Sequence, residues 1–185
     1  MNKNAIIPVI IALTMITGFS YFSSGLTLIV TFVPGVILAL FFYFLTFYKK
    51  FPKPKRIIPL YLLALGIQLL HFTEEFLMGF NHRFPALFSS PEYSIELFVA
   101  FNMFAYFLFL MGAIFIQKEI KPPIIIPLFF VVYGTIGNAI AHLIFSIISG
   151  GYFPGLYTSL LDWIIGPILI YRIWKETRII KPITS

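Results

Sequence analysis

Six long apolar stretches constrain this chain more than any other feature of its sequence. A helix that spans a membrane needs about 20 consecutive, mostly apolar residues. Stretches of this kind run over residues 5–22, 25–48, 57–80, 93–117, 123–149 and 155–174, joined by short loops of which the longest is 81–92. We therefore predict an all-α fold, a polytopic transmembrane bundle of six helices that forms a single domain over residues 1–185.

The charged residues support the same topology. Only 11% of the residues are charged and 59% are hydrophobic, so most of the surface must face lipid rather than water. If the N-terminus is cytoplasmic, all 13 lysines and arginines except Arg83 lie on the cytoplasmic side. This asymmetry predicts a multi-pass protein of the cell membrane with both termini in the cytoplasm. Membrane lipid is the expected partner. Nucleic acid is not, because no basic stripe alternates with polar residues.

Polar residues inside the predicted spans are the candidates for function, because an ionisable side chain in a membrane is costly. The third stretch carries Gln68, His71, Glu74 and Glu75. At 100° per residue, Gln68, His71 and Glu75 share one helix face, and Glu74 lies beside it. Three further stretches contribute Asn102, Asn138, His142 and Asp162.

The depths of these polar residues agree between helices of opposite direction. With a rise of about 1.5 Å per residue, six of them lie roughly 7–16 Å from the outer ends of their helices: Glu75, His71, His142, Asn138, Asp162 and Asn102. The cytoplasmic halves of the same helices are almost wholly apolar. We therefore predict one polar site in the outer leaflet half, with Tyr152 above it in the turn that precedes the last helix.

The predicted site has a core and a surrounding group. We expect five side chains to converge on one cavity as the catalytic residues: His71, Glu74, Glu75, Asn138 and His142. We expect Gln68, Asn102, Asp162 and Tyr152 to surround them. The absence of cysteine excludes thiolate ligands and cysteine nucleophiles.

Several kinds of chemistry can stabilise carboxylates and imidazoles in a medium of low dielectric constant. A divalent metal of unknown identity could be held by His71, Glu74, Glu75 and His142. Without a metal, the same groups could perform acid–base catalysis, form a path for protons or cations, or hold the bundle together. The order His-x-x-Glu-Glu differs from the His-Glu-x-x-His of zinc proteases.

The chemistry favours an intramembrane enzyme that acts on a lipophilic small molecule, an isoprenoid or an acyl lipid. A metal-free acid–base isomerase and a proton- or cation-coupled transporter are the alternatives. A conducting path needs polar groups or water through the full membrane thickness. The apolar cytoplasmic halves therefore favour a pocket that opens to the outer leaflet or the outer surface. The sequence leaves the oligomeric state open.

Three motifs resemble those of a known family. The run from His71 to Glu75 is His-Phe-Thr-Glu-Glu, the run from Asn138 to His142 is Asn-Ala-Ile-Ala-His, and the run from Tyr152 to Gly155 is Tyr-Phe-Pro-Gly. Over roughly residues 57–170 the chain resembles the HXXEE-motif family of integral membrane proteins. In that family the last motif has serine where Phe153 stands. The resemblance implies a membrane enzyme without assigning its reaction.

A second resemblance supports the isomerase alternative. The spacing of four between His71 and Glu75 is similar to that in emopamil-binding sterol isomerases. Those proteins use carboxylates to move a double bond through a carbocation.

Overall fold

The computed structural model describes residues 2–23 and 25–178, and every regular element in these ranges is helical. We number the helices α1 to α7: Lys3–Phe22, Gly25–Leu45, Pro54–Leu77, Phe80–Ala86, Ile95–Gln117, Pro122–Ile148 and Leu156–Thr177. All of them except α4 are long and apolar enough to cross a membrane. The predicted all-α fold with six such helices is confirmed.

The connection after α3 differs from the prediction. We expected this helix to continue to residue 80 and a loop to follow, but α3 ends at Leu77. Gly79 has a φ of 75°, a left-handed conformation that glycine adopts without steric cost and that stops the helix. The short helix α4 then begins at Phe80. It is held against the bundle by Phe84, which is buried and packs on Phe145 of α6 with 5.4 Å between ring centroids.

Helix α6 lies at the centre of the bundle. It packs against α1, α2, α3, α5 and α7, and it is the most buried of the six long helices. Its middle part, Phe130–Gly137, is wound as a π-helix, which has more residues per turn than an α-helix. The segment from Asn138 to Ile148 then continues as an α-helix and carries His142 to the site.

Helix α7 approaches both α3 and α6 closely. A Cβ atom added to Gly166 would lie 2.7 Å from Oγ1 of Thr135, so glycine at position 166 lets α7 pack closely on the side chains of α6. Helix α7 also packs along α3 over an extensive interface. These contacts fix α7 beside the polar face of α3.

The two ends of the bundle differ in chemistry. At the end that carries the Lys49–Arg56 loop, here called the basic end, Arg56 and Glu176 form an ion pair of 2.6 Å that joins α3 to α7. From there to the middle of the bundle the buried residues are mainly apolar, among them Ile57, Tyr61, Leu128, Phe130, Leu169 and Ile173. The opposite end, here called the site end, contains the buried histidines.

Candidate functional site

Three side chains of the predicted site meet at the site end. His71 and Glu75 lie one turn apart on α3 and face the interior, and His142 reaches the same point from α6. Both histidines are almost completely buried, and Glu75 is 7% exposed. We call these residues the triad.

The ligand atoms of the triad form a nearly equilateral triangle. Nε2 of His71 lies 3.1 Å from Nε2 of His142. Oε1 of Glu75 lies 3.4 Å from the first of these nitrogens and 3.3 Å from the second. Tetrahedral zinc has nitrogen and oxygen ligands at about 2.0–2.1 Å, which places neighbouring ligand atoms about 3.3 Å apart. The triad can therefore hold a divalent metal ion through three protein ligands.

Glu74 takes a position other than the one we predicted for a metal ligand. Its carboxylate turns to the N-terminus of α7, where it accepts hydrogen bonds from the backbone N–H groups of Tyr157 and Thr158, at 3.1 and 2.8 Å. The hydroxyls of Tyr152 and Thr158 donate to it as well, at 2.8 and 2.5 Å. The N-terminus of a helix attracts negative charge through its free N–H groups. Glu74 therefore fixes α7 against α3 from outside the triad.

Thr158 connects Glu74 to the triad. Its hydroxyl donates to Glu74, so its oxygen is left to accept a hydrogen bond from Nδ1 of His71, which lies 2.9 Å away. His71 therefore carries its proton on Nδ1 and directs the lone pair of Nε2 into the triangle. The sequence shows Thr158 one turn before Asp162 on the same helix, but we did not predict Thr158 as a site residue.

The turn before α7 covers the two imidazoles. Gly155 has a φ of 91°, and a Cβ atom at this position would lie 2.7 Å from Cε1 of His71 and would also collide with the His142 ring. Nδ1 of His142 is buried and has no hydrogen-bond partner among the described residues. The backbone of the turn therefore closes the site on one side.

Helix α4 holds the same turn in place. A guanidinium N–H of Arg83 donates to the Tyr152 carbonyl at 3.0 Å, and the guanidinium lies over the Phe153 ring, 5.2 Å from its centroid. Burial, and then the bond to Glu74, raises the pKa of Tyr152 to about 12. The phenol therefore keeps its proton at physiological pH and serves as a donor.

A large cavity lies beside the triad. Its volume is about 520 Å³, within the usual range for ligand pockets, and most of its lining is apolar and aromatic, from α1, α5 and α6. Glu75 and His142 border the cavity, whereas His71 lies behind them. The triad is therefore in contact with this space through Glu75 and His142.

The remaining predicted residues form a second polar level, one helical turn from the triad towards the basic end. Gln68 and Asn138 precede His71 and His142 by one turn, and both line the cavity. Asn102 of α5 also lines it and donates to the Phe98 carbonyl at 2.9 Å. Asp162 lies outside the cavity lining, fully buried, and neither of its carboxylate oxygens has a hydrogen-bond partner among the described residues.

The fold and the site are consistent with one class of protein, a helical multi-pass membrane protein with a buried cluster of histidine and glutamate. The model of a family described as "Protein of unknown function with HXXEE motif" matches residues 62–172, more than half of the chain. The chain belongs to this family, which confirms the resemblance seen in the sequence. Searches of curated proteins and of solved structures found no match.

Proposed function

We propose that this protein is an intramembrane enzyme that uses a divalent metal ion to act on a lipophilic substrate, an isoprenoid or an acyl lipid. The observation that carries the proposal is the triangle formed by Nε2 of His71, Nε2 of His142 and Oε1 of Glu75, with sides of 3.1–3.4 Å at the edge of an apolar cavity. We also propose that the basic end faces the cytoplasm and that the site end faces the opposite side of the membrane.

Electrostatics favours a cation in the triangle. When both imidazoles carry their proton on Nδ1, as the bond to Thr158 favours for His71, two imidazole lone pairs and one carboxylate oxygen face one another in a buried space. Three acceptors in such a place repel unless a positive charge lies between them. A divalent metal satisfies all three at once, and three protein ligands leave one position open for water or substrate.

The surrounding residues have separate tasks in this proposal. A metal in the triad would polarise a substrate oxygen or lower the pKa of a bound water. Glu74 acts through Thr158 to orient His71, as partners of metal-bound histidines commonly do. The amides of Gln68 and Asn138 line the cavity beside the triad and are available to bind a polar part of the substrate.

A second candidate function is a metal-free acid–base isomerase. The chain of hydrogen bonds from Glu74 through Thr158 to His71 favours it, because the same chain can stabilise a proton shared within the triad. A transporter has less support, because the buried part of the bundle between the triad and the basic end is mainly apolar.

Elemental analysis of the purified protein separates the two candidates. We expect about one ion per chain in the wild type and a loss of the ion in His71→Ala, His142→Ala and Glu75→Gln. His82→Ala is the matched control, because His82 is an exposed histidine that pairs with Glu92 outside the triad. If wild-type protein offered Zn²⁺, Mn²⁺ and Fe²⁺ retains none of them, the metal proposal is wrong and the isomerase takes its place.

A further inference from the structure

The cavity beside the triad opens sideways, through the wall of the bundle. Thr14 and Gly18 of α1 and Phe104 of α5 line the cavity and are also exposed on the outer surface. Towards the site end the two helices meet, where the rings of Phe22 and Phe101 stack with 3.9 Å between centroids. The opening therefore lies within the apolar belt of the bundle, below an aromatic contact.

A shallow groove on the surface of α1 leads to this opening. It is lined by Ile10, Leu13, Thr14, Thr17, Gly18 and Tyr21. Thr14 and Gly18 belong both to the groove and to the cavity. Since Gly18 has no side chain, and a Cβ atom placed on it would meet nothing within 4 Å, the passage at this point is open.

The length and lining of the cavity fit a hydrocarbon chain. The α1 residues that line it run from Ile11 to Phe22, about 16 Å along the helix axis. This is close to half of the roughly 30 Å hydrocarbon core of a bilayer, the thickness of one leaflet. The polar groups Glu75 and His142 border the cavity, so one molecule could contact them and the apolar lining together.

We propose that the cavity binds the hydrocarbon chain of a membrane amphiphile, which enters sideways from the bilayer between α1 and α5, past Gly18. The polar part of the amphiphile then lies beside Glu75 and His142. The inference depends on the proposed function only in that the triad would act on this molecule; the binding of the chain does not require a metal.

The test uses a fatty acid with a photoreactive diazirine in its chain, and a phospholipid with the same group in one chain, each in nanodiscs that contain the full protein. Mass spectrometry after illumination compares two sets of α5 residues. The inward set, Asn102, Ala105 and Leu108, lines the cavity. The outward set, Met103, Phe107 and Leu110, is exposed and does not line it.

Gly18→Leu should close the passage without disturbing the fold, because the site has free space and leucine favours a helix over glycine. Gly66→Leu is the matched control, since Gly66 is also an exposed helical glycine with nothing within 4 Å, but it lies outside the cavity. We expect both sets to be labelled in the wild type and in Gly66→Leu. In Gly18→Leu the labelling of the inward set should fall severalfold, while the labelling of the outward set should stay unchanged.

Labelling of the inward set by either probe, if Gly18→Leu reduces it, supports the proposal, and the more efficient probe identifies the preferred source of the chain. Wild-type labelling confined to the outward set would overturn it, as would inward labelling that Gly18→Leu leaves unchanged. The metal content of Gly18→Leu should equal that of the wild type. A protein without metal that still shows the inward label would therefore contradict the proposed function and leave this inference standing.

Discussion

The contact region of α3, α6 and α7 and the wall formed by α1 and α5 are built in different ways. In the first, hydrogen bonds and close backbone contacts fix the side chains of the triad. Glu74 holds the N-terminus of α7, Thr158 orients His71, and Gly155 packs against both imidazoles. In the wall, α1 and α5 touch through the stacked rings of Phe22 and Phe101, and the cavity lies beside this contact.

This difference matches the demands of the two ligands that we propose. A metal ion requires its ligand atoms within a few tenths of an ångström of ideal positions, so the residues behind them must be fixed as well. A hydrocarbon chain is held by burial, which has no preferred direction, so its binding site tolerates variation in shape. Substitutions in the first region should therefore change metal binding more than substitutions in the wall.

The largest expected effect belongs to Gly155→Ala. The added methyl group would collide with both imidazole rings and push the triad apart, so we expect bound metal to be lost. Overpacking of this kind costs about 1–3 kcal/mol in addition to about 1–2 kcal/mol for the left-handed backbone. Metal content and thermal unfolding measure the two effects.

Gly150→Ala controls for the backbone conformation. Gly150 also has a positive φ, of 70°, but a Cβ atom there would meet nothing within 4 Å. We expect this variant to lose some stability and to keep its metal. Equal metal loss in both variants would show that backbone strain in the turn, and not its contact with the imidazoles, controls the triad.

Glu74→Gln should have a smaller effect than Glu75→Gln, although the two residues are neighbours. Glutamine at position 74 weakens the contact with the N-terminus of α7 and the orientation of His71 through Thr158, but it leaves all three triad atoms in place. Changes to such supporting residues typically reduce metal affinity by about 10–100-fold. Competition with a chelator measures this loss, and Glu92→Gln, on the exposed partner of His82, is the control. Complete loss of metal would instead indicate that Glu74 is itself a ligand.

The smallest expected effect is that of Tyr152→Phe, which removes one of the four hydrogen bonds to Glu74. Because the pKa of Tyr152 is raised from 10.0 to about 12 in the folded protein, its contribution to stability is complete below pH 10.0 and is lost as the pH rises through about 12. The unfolding temperatures of wild type and variant should differ by a few degrees at neutral pH and converge at the alkaline end. A difference that grows with pH would contradict this assignment.

The sequence predicted the spans and part of the site, because both follow from local patterns. Hydropathy identified six helices, and the spacing of four placed His71 and Glu75 on one face. The direction of the Glu74 side chain depends on where the N-terminus of α7 lies. The spacing of residues along α3 carries no information about that position. The role of Gly155 likewise depends on the approach of a turn to two rings from other helices. The membrane orientation and the extent of the domain stay predictions.

The π-helical part of α6 makes the site sensitive to insertions and deletions. Each residue of an α-helix advances the facing direction by about 100°. The wide turns between Phe130 and Gly137 therefore determine the direction in which every later side chain of α6 points, including that of His142. Removal of a single residue from this segment would turn His142 by about 100° away from His71, into the direction that Ala141 now takes. The length of a helix segment that contributes no ligand therefore determines whether His142 can meet His71 and Glu75.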